Sequence, residues 1–322
     1  MQLPPPLRAA VDQAVAGLVR EELNRAADRL SLRYRAEIQD GAAHIHDEAS
    51  ALAYAVARLP ATFAAIRRAL AEAAARSDAS PATMLDAGAG PGTSLWAAVE
   101  TWPSLAEAVM IEQSPSALAL GQRLSTGLAS VSTAWIGVDV TRGFDEFGPR
   151  DLVTLCYVLN EIEPGKRQAL VDRLWQLARE ILVIVEPGTP AGWRRILAAR
   201  EQLMAAGAHI LAPCPHRLAC PLDPPDWCHF ACRVARSRAH REAKSAVVPW
   251  EDEKFIYLAA ARRPAAPFVA RVIARPKGAS GRVTLKLCCE NGRCVHRLVS
   301  RRDRDAYRRA RRLDWGDALP RA

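Results

Sequence analysis

No run of about eighteen uninterrupted apolar residues occurs in this 322-residue chain, so no transmembrane helix and no membrane partner is expected. The opening Met1-Gln2-Leu3-Pro4-Pro5-Pro6 has neither a basic region nor an apolar core, so no secretory signal is expected. Acidic residues arrive early, at Asp12, Glu21 and Glu22, which argues against a transit peptide. Cytoplasmic localisation is the default reading. In that compartment eight cysteines read as metal ligands or buried thiols rather than disulfides. Aromatic residues are scarce, and internal repeats and low-complexity segments are absent. No Gly-Lys-Ser/Thr follows the one glycine-rich loop, which argues against nucleoside triphosphate binding.

What is present is enough apolar residue, 50% of the chain, for one large core with appendages. Charge is unevenly spread. Residues 1–190 hold 17 basic and 23 acidic side chains, and residues 191–322 hold 27 and 12, a split of −6 and +15. A basic half of this kind points to an anionic polymer. Two clusters stand out: Arg233, Arg236, Arg238, Arg241 and Lys244, and a C-terminal run from Arg301 to Arg312. Both are candidates for a phosphate-facing surface.

Apolar periodicity predicts helices within Leu7–Leu30, Ala51–Leu59 and Ala61–Ala75. The intervening Ser31-Leu32-Arg33-Tyr34-Arg35 reads as a helical cap or an RNA-facing arm. From residue 82 to 190 short apolar runs alternate with helical stretches. Strands are expected at Thr83–Ala87, Ala108–Glu112, Ala134–Val138, Leu152–Tyr157 and Ile181–Val185, which implies a parallel sheet with right-handed crossovers. Further on, Val283–Cys289 and Cys294–Val299 flank Asn291-Gly292, the preferred pair for a type I′ hairpin turn. An arginine-rich helix is expected over Arg304–Arg312.

The glycine loop is Asp86-Ala87-Gly88-Ala89-Gly90-Pro91-Gly92, between a strand and a helix. Gly88, Gly90 and Gly92 permit a sharp turn and close approach by a ligand. Asp86 before the glycines suits the amino group of S-adenosylmethionine (SAM). Glu112 ends the next strand, where a carboxylate can accept both ribose hydroxyls, and Asp139 follows the third, within reach of the adenine amine. Asn160, after the fourth strand, is the weak candidate for a residue at the transferred methyl group; a helix-capping role accounts for it as well. Cys156 reads as a core residue.

Cys214, Cys220 and Cys228 lie within fifteen residues of a proline-rich loop, and Cys288 follows on the hairpin. A soft metal explains such a set, because zinc and iron–sulfur clusters both need several converging thiolates. The spacing is not that of a zinc finger or ribbon, which favours a cluster. Zinc stays open, with His216 and His229 nearby. Cys232, Cys289 and Cys294 read as structural, Cys289 because neighbouring strand residues point to opposite faces.

These residues resemble the small-ribosomal-subunit methyltransferase-like proteins, a family that includes the mitochondrial small-subunit assembly factor of yeast and animals and its bacterial relatives. The resemblance is carried by Leu30-Ser31-x-Arg33-Tyr34-Arg35, the Asp86–Gly92 loop and Val185-Glu186-Pro187-Gly188-Thr189-Pro190. Downstream it includes Cys214-Pro215-His216 and Cys220-Pro221. It continues through Asp226-Trp227-Cys228-His229-Phe230, Glu251-Asp252-Glu253-Lys254-Phe255, Leu287-Cys288 and Trp315-Gly316-Asp317. It implies a class I SAM-dependent methyltransferase fold, a [4Fe–4S] cluster on Cys214, Cys220, Cys228 and Cys288, and association with the small ribosomal subunit. The Cys288-Cys289 doublet departs from the pattern; Cys288 is chosen for its spacing to Gly292.

The chain is therefore expected to comprise a helical cap (1–78), a SAM-binding Rossmann-like α/β core (79–190) and a basic, cysteine-rich insertion (191–254). C-terminal strands, the hairpin and a basic tail (255–322) follow. It is read as a monomer. Three functions follow: an rRNA methyltransferase, a non-catalytic assembly factor, or a zinc-stabilised RNA-binding module with a vestigial pocket.

Overall fold

The computed structural model describes residues 1–17, 19–36, 44–142, 147–236, 241 and 247–321. Four helices come first: α1 (Pro5–Ala14), α2 (Arg20–Ala36), α3 (Glu48–Ala57) and α4 (Leu59–Ala74). The periodicity over Leu7–Leu30 is thus two helices, with Gly17 left-handed at φ +83° between them. Asp47 caps α3 by accepting from the Ser50 amide at 2.7 Å. Among the described residues no single helix is long and apolar enough to cross a bilayer. The α3–α4 pair qualifies only jointly, bent by 59°, and both helices bury their apolar residues in the main core.

The alternating runs form β1 (Thr83–Ala87), α5 (Thr93–Thr101), β2 (Glu107–Ile111), α6 (Pro115–Ser125), β3 (Ser132–Ile136) and β4 (Arg150–Cys156). Then come α7 (Pro164–Leu177), β5 (Ala178–Pro187), α8 (Pro190–Ala205), β6 (His209–Ala212), β7 (Phe230–Ala235) and β8 (Trp250–Ala261). β1 to β5 pair in parallel. Ile181–Val185 is apolar throughout and fully buried, as a strand covered on both faces must be. The order is β3-β2-β1-β4-β5-β8-β6, with β8 antiparallel to both neighbours and β7 added to its N-terminal half. This is the class I SAM-dependent methyltransferase sheet. The expected boundary at 254/255 falls inside β8.

The order reverses between β1 and β4, which opens a crevice at the carboxyl ends of the strands. The glycine loop, Glu112, Asp139 and Tyr157 all sit there.

The C-terminal strands and hairpin expected from sequence patterning form a sheet of their own. Its strands are β9 (Phe268–Val272), β10 (Lys277–Ala279), β11 (Arg282–Cys289), β12 (Cys294–Ser300) and β13 (Ala318–Pro320), with α9 (Arg304–Ala310) against them. Alternation along β11 sends Val283, Leu285 and Leu287 into a small local core and Cys288 to the other face. The turn between β11 and β12 is not type I′. Gly292 alone is left-handed, at φ +76°, and donates to the Cys289 carbonyl, while Cys289 pairs with Arg293. That is a three-residue loop built on a type I turn with a left-handed glycine closing it.

Candidate functional site

A cavity of about 320 Å³ lies at the carboxyl ends of β1, β2 and β4. Gly88, Gly90, Glu112 and Asp139 line it, together with His44, Tyr54, Thr93, Ser94, Cys156 and Tyr157. Gly88 and Gly90 take φ of +71° and +52°, and no atom lies within 4 Å of where a Gly90 side chain would start. The loop therefore presents bare backbone to the cavity, just ahead of the α5 N-terminus with its unpaired amides.

The carboxylates do not play equivalent parts. Glu112 Oε2 accepts from the Gly90 amide at 2.8 Å and Oε1 from the Ser114 amide at 2.7 Å. Burial raises its pKa, and these amides pull it down. Asp139 accepts from the Thr141 amide and hydroxyl at 2.8 and 2.9 Å. Asp86 is fully buried behind the cavity wall and does not line it. Its Oδ1 accepts from Thr154 Oγ1 at 2.6 Å, and Oδ2 is buried with no hydrogen-bond partner. Burial raises the carboxyl to about 7, although the Thr154 and Ser94 hydroxyls hold it below what burial alone would give. Gly92 and Asn160 also lie outside the cavity lining, Asn160 buried at 2% exposure.

Sequence reasoning missed several lining residues. His44, from the helical cap, is 3.6 Å from Glu161. Cys156 is buried as expected, yet it faces the cavity. Tyr157 has φ +61°, a strained conformation for a non-glycine residue and a feature of functional sites. Its hydroxyl donates to Glu253 Oε1 at 3.1 Å, and Arg58 pairs with the same carboxylate at 3.1 Å. Glu253, from the acidic Glu251-Asp252-Glu253 stretch, thus reaches back to this cavity.

A second, smaller cavity of about 30 Å³ lies between α8, β8 and the C-terminal sheet. Cys214, Cys220, Cys228 and Cys288 all line it. Burial raises the thiol pKa of Cys214, Cys228 and Cys288, and repulsion among neighbouring thiols adds to it. His216 stands beside them, its Nε2 3.4 Å from Cys288 Sγ. His229 does not: it stacks on Trp227 and meets Trp315 edge-on. Trp227 in turn donates to the Gly188 carbonyl at 3.0 Å, fixing the loop against the end of β5. Cys289 packs on the opposite sheet face, and Cys232 lies on β7 opposite Glu253. Among the described residues, no group of three or more His, Cys, Asp or Glu is drawn tightly enough to hold a metal ion as it stands.

Two buried arginines flank the thiols. Arg200 donates from Nη2 to the carbonyls of His216 and Leu218 at 2.7 and 2.9 Å. Arg271 is fully buried; it donates to the Pro213 carbonyl at 2.9 Å and pairs with Glu72. Arg200 Nε and Arg271 Nη2 are buried without a hydrogen-bond partner. Both arginines pull the Cys214 thiol back down.

Residues 48–320 match the family described as "Mitochondrial small ribosomal subunit Rsm22". The chain belongs to the Rsm22 family. It is 32% identical over 299 residues to the human "Ribosome assembly protein METTL17, mitochondrial", covering 85% of this chain and 63% of that protein. It is 25% identical over 287 residues to "Rsm22-cox11 tandem protein 2, mitochondrial" of Schizosaccharomyces pombe, covering 74% of this chain and 38% of that protein. The chain thus spans less than two thirds of the length of these relatives. Their names are mitochondrial, which the cytoplasmic expectation did not anticipate. Among solved structures, it is similar to magnesium protoporphyrin IX methyltransferase (ChlM) from Synechocystis PCC 6803 with bound SAM. That likeness has 15% identity and a TM-score of 0.41, over 77% of this chain and 99% of that one.

In the first basic cluster of this Rsm22-family chain, Arg233 and Arg236 are paired with acidic side chains, and Arg241 is exposed. Arg233 makes two bonds to Asp252, at 2.9 and 3.1 Å, and lies 4.1 Å over the Trp250 ring. Arg236 pairs with Glu251 at 2.9 Å and is 13% exposed. Arg238, Lys244 and the side chains of Ser31, Arg33, Tyr34 and Arg35 lie outside the described residues.

Proposed function

We propose that this chain binds SAM in the cavity at the strand ends, carries a [4Fe–4S] cluster on Cys214, Cys220, Cys228 and Cys288, and serves assembly of the small ribosomal subunit. The observation that carries the reading is the meeting of four thiols with two buried arginines, each of which has one N–H group, Arg200 Nε and Arg271 Nη2, without a hydrogen-bond partner. A metal group held by four thiolates is anionic, and charge-assisted bonds from Arg200 Nε and Arg271 Nη2 would satisfy donors that otherwise stay costly to bury. The donor set fits such a group. The cavity has room for roughly two water molecules, so the loop must redraw around it. When bound, the cluster supplies covalent cross-links between the Cys214–Cys228 loop and β11, so binding energy becomes folding energy.

For SAM, the support is chemical. Bare backbone at Gly88 and Gly90, the Glu112 carboxylate and Asp139 surround a crevice of suitable position in this fold. Titration calorimetry on the metal-loaded chain tests it; absence of SAM binding removes this part of the reading. The ribosomal partner rests on family membership. The compartment is that of the ribosome the chain serves, which is mitochondrial in the named relatives.

A second reading, binding without turnover, is favoured by one observation. Burial raises the Cys156 thiol and the Tyr157 hydroxyl well above their ordinary values, so both stay protonated, and Asn160 is outside the cavity lining. Neither the Cys156 thiol nor the Tyr157 phenol is therefore poised as a base. Transfer of a labelled methyl group from SAM to small-subunit rRNA separates the two readings.

A further inference from the structure

The arginines on the β7–β8 ladder and those of the C-terminal cluster are not equivalent in the fold. Arg233 and Arg236 spend their charge on Asp252 and Glu251 across the β7–β8 ladder. The C-terminal cluster does not. Arg301, Arg304, Arg308, Arg311 and Arg312 line one open groove of about 600 Å³ along α9, with Tyr307 among them. All five arginines are exposed. Among the described residues only Arg308 has an acidic partner there, Asp305 at 3.6 Å, both strongly exposed. Such a pair is screened and easily exchanged. The segment 301–312 holds seven arginines, two aspartates and no lysine, a net of +5.

We infer that this groove is the primary RNA contact of the chain, gripping successive phosphates of single-stranded or looped rRNA. The inference rests on the ribosomal reading above and names its surface. Arginine forks match phosphate oxygens in two-point bonds, which lysines cannot do. Tyr307 is half-buried against the small C-terminal core and Arg311 lies 5.9 Å over its ring, so ring and guanidinium together offer stacking planes inside an arginine groove. Bases splayed from a strand stack on such rings. An anionic membrane would be met by the arginine charges alone and offers no base for the ring. Position adds to the case. α9 packs on β12 and β11, the strand that carries Cys288, so the sulfur pocket and the groove share one sheet. A group bound at the cysteines would brace the surface that meets RNA.

The test uses the metal-loaded 322-residue chain and a fluorescent transcript of small-subunit rRNA, with affinity followed across salt concentration. The combined substitution Arg304→Ala, Arg308→Ala and Arg311→Ala is expected to flatten the log–log salt slope by about 2, since each lost phosphate contact removes roughly 0.7–0.9. Arg233→Ala is expected to leave the slope unchanged. Tyr307→Ala should weaken binding about tenfold or more at constant slope, because a stacking ring releases no counterions. Circular dichroism melts confirm that the variants fold, and the matching triple Arg→Lys variant should recover most of the slope. If the wild type binds the transcript and the triple Ala variant binds with the same slope, the groove is not the contact and the inference fails while the ribosomal reading stands. If the wild type binds no rRNA, the ribosomal reading falls and takes the inference with it. Tighter binding to anionic phospholipid vesicles than to the transcript overturns the assignment of the partner to RNA.

Discussion

The Gly90 amide donates to Glu112 Oε2 across 2.8 Å, so the carboxylate expected to grip a ribose is already holding the glycine loop. One oxygen orders the loop and the other ties to Ser114 at the start of α6. A ligand's hydroxyls meet a pre-positioned acceptor, with less ordering left to do on binding.

Glu112→Ala removes both bonds and leaves two backbone amides unpaired. It is expected to destabilise the fold by about 1–3 kcal/mol and to weaken SAM binding by about tenfold or more, a loss of roughly 1.4 kcal/mol. Glu112→Gln keeps one carbonyl acceptor and should fall between wild type and Ala in both. Thermal melts and calorimetry on the three proteins check the order.

Asp86 makes stability depend on pH. Its carboxyl is near 3.8 when exposed and about 7 when buried in the fold. Between those values the folded chain binds more protons than the unfolded one, so this contribution is full below pH 3.8 and is lost as pH rises through 7. The expected loss is a few kcal/mol at most. Asp86→Asn should remove this decline. Denaturant melts from pH 4.5 to 8 on both proteins measure it; parallel curves would mean that Asp86 is ionised throughout.

Arg200 is expected to matter more for the sulfur pocket than for the main core. Arg200→Met leaves the His216 and Leu218 carbonyls without their donor, at about 1–3 kcal/mol in all. It also removes a charge that pulls the Cys214 thiol down. Metal content after anaerobic purification should drop while the far-ultraviolet dichroism stays close to wild type. Unchanged metal content would place the guanidinium outside the group's influence.

Legibility in the sequence followed local periodicity. β1 to β5 and the glycine loop were readable because apolar runs and turn residues sit next to one another in the chain. That Cys288 and Cys289 take opposite faces was readable for the same reason, since strand alternation separates neighbours. The pairing of Arg233 with Asp252 was not readable. Both look like parts of separate charge runs, and only the β7–β8 register sets them opposite one another. Arg271 was hidden likewise: its partner Glu72 lies 199 residues away. Asp86 was read from its position as a cofactor-facing carboxylate, but its burial behind Thr154, outside the cavity lining, depends on the β1–β4 register. The wrong turn type came from reading Asn291-Gly292 as a pair, when Gly292 alone takes the left-handed conformation.

The four-thiol assignment also separates neighbouring cysteines. Cys288→Ser should lose the metal group and destabilise the C-terminal sheet, since the ligand and the fold share binding energy. Cys289→Ser and Cys232→Ser, which sit on other faces, should retain it. Equal losses at Cys288 and Cys289 would move the fourth ligand.

The most direct test of the whole account is the elemental content of the chain purified without oxygen. Iron, acid-labile sulfide and zinc are counted per chain on one sample whose protein concentration is set by amino-acid analysis. The account predicts about four irons and four sulfides per chain, a brown solution and negligible zinc. A colourless chain with one zinc, or with no metal at all, would contradict it.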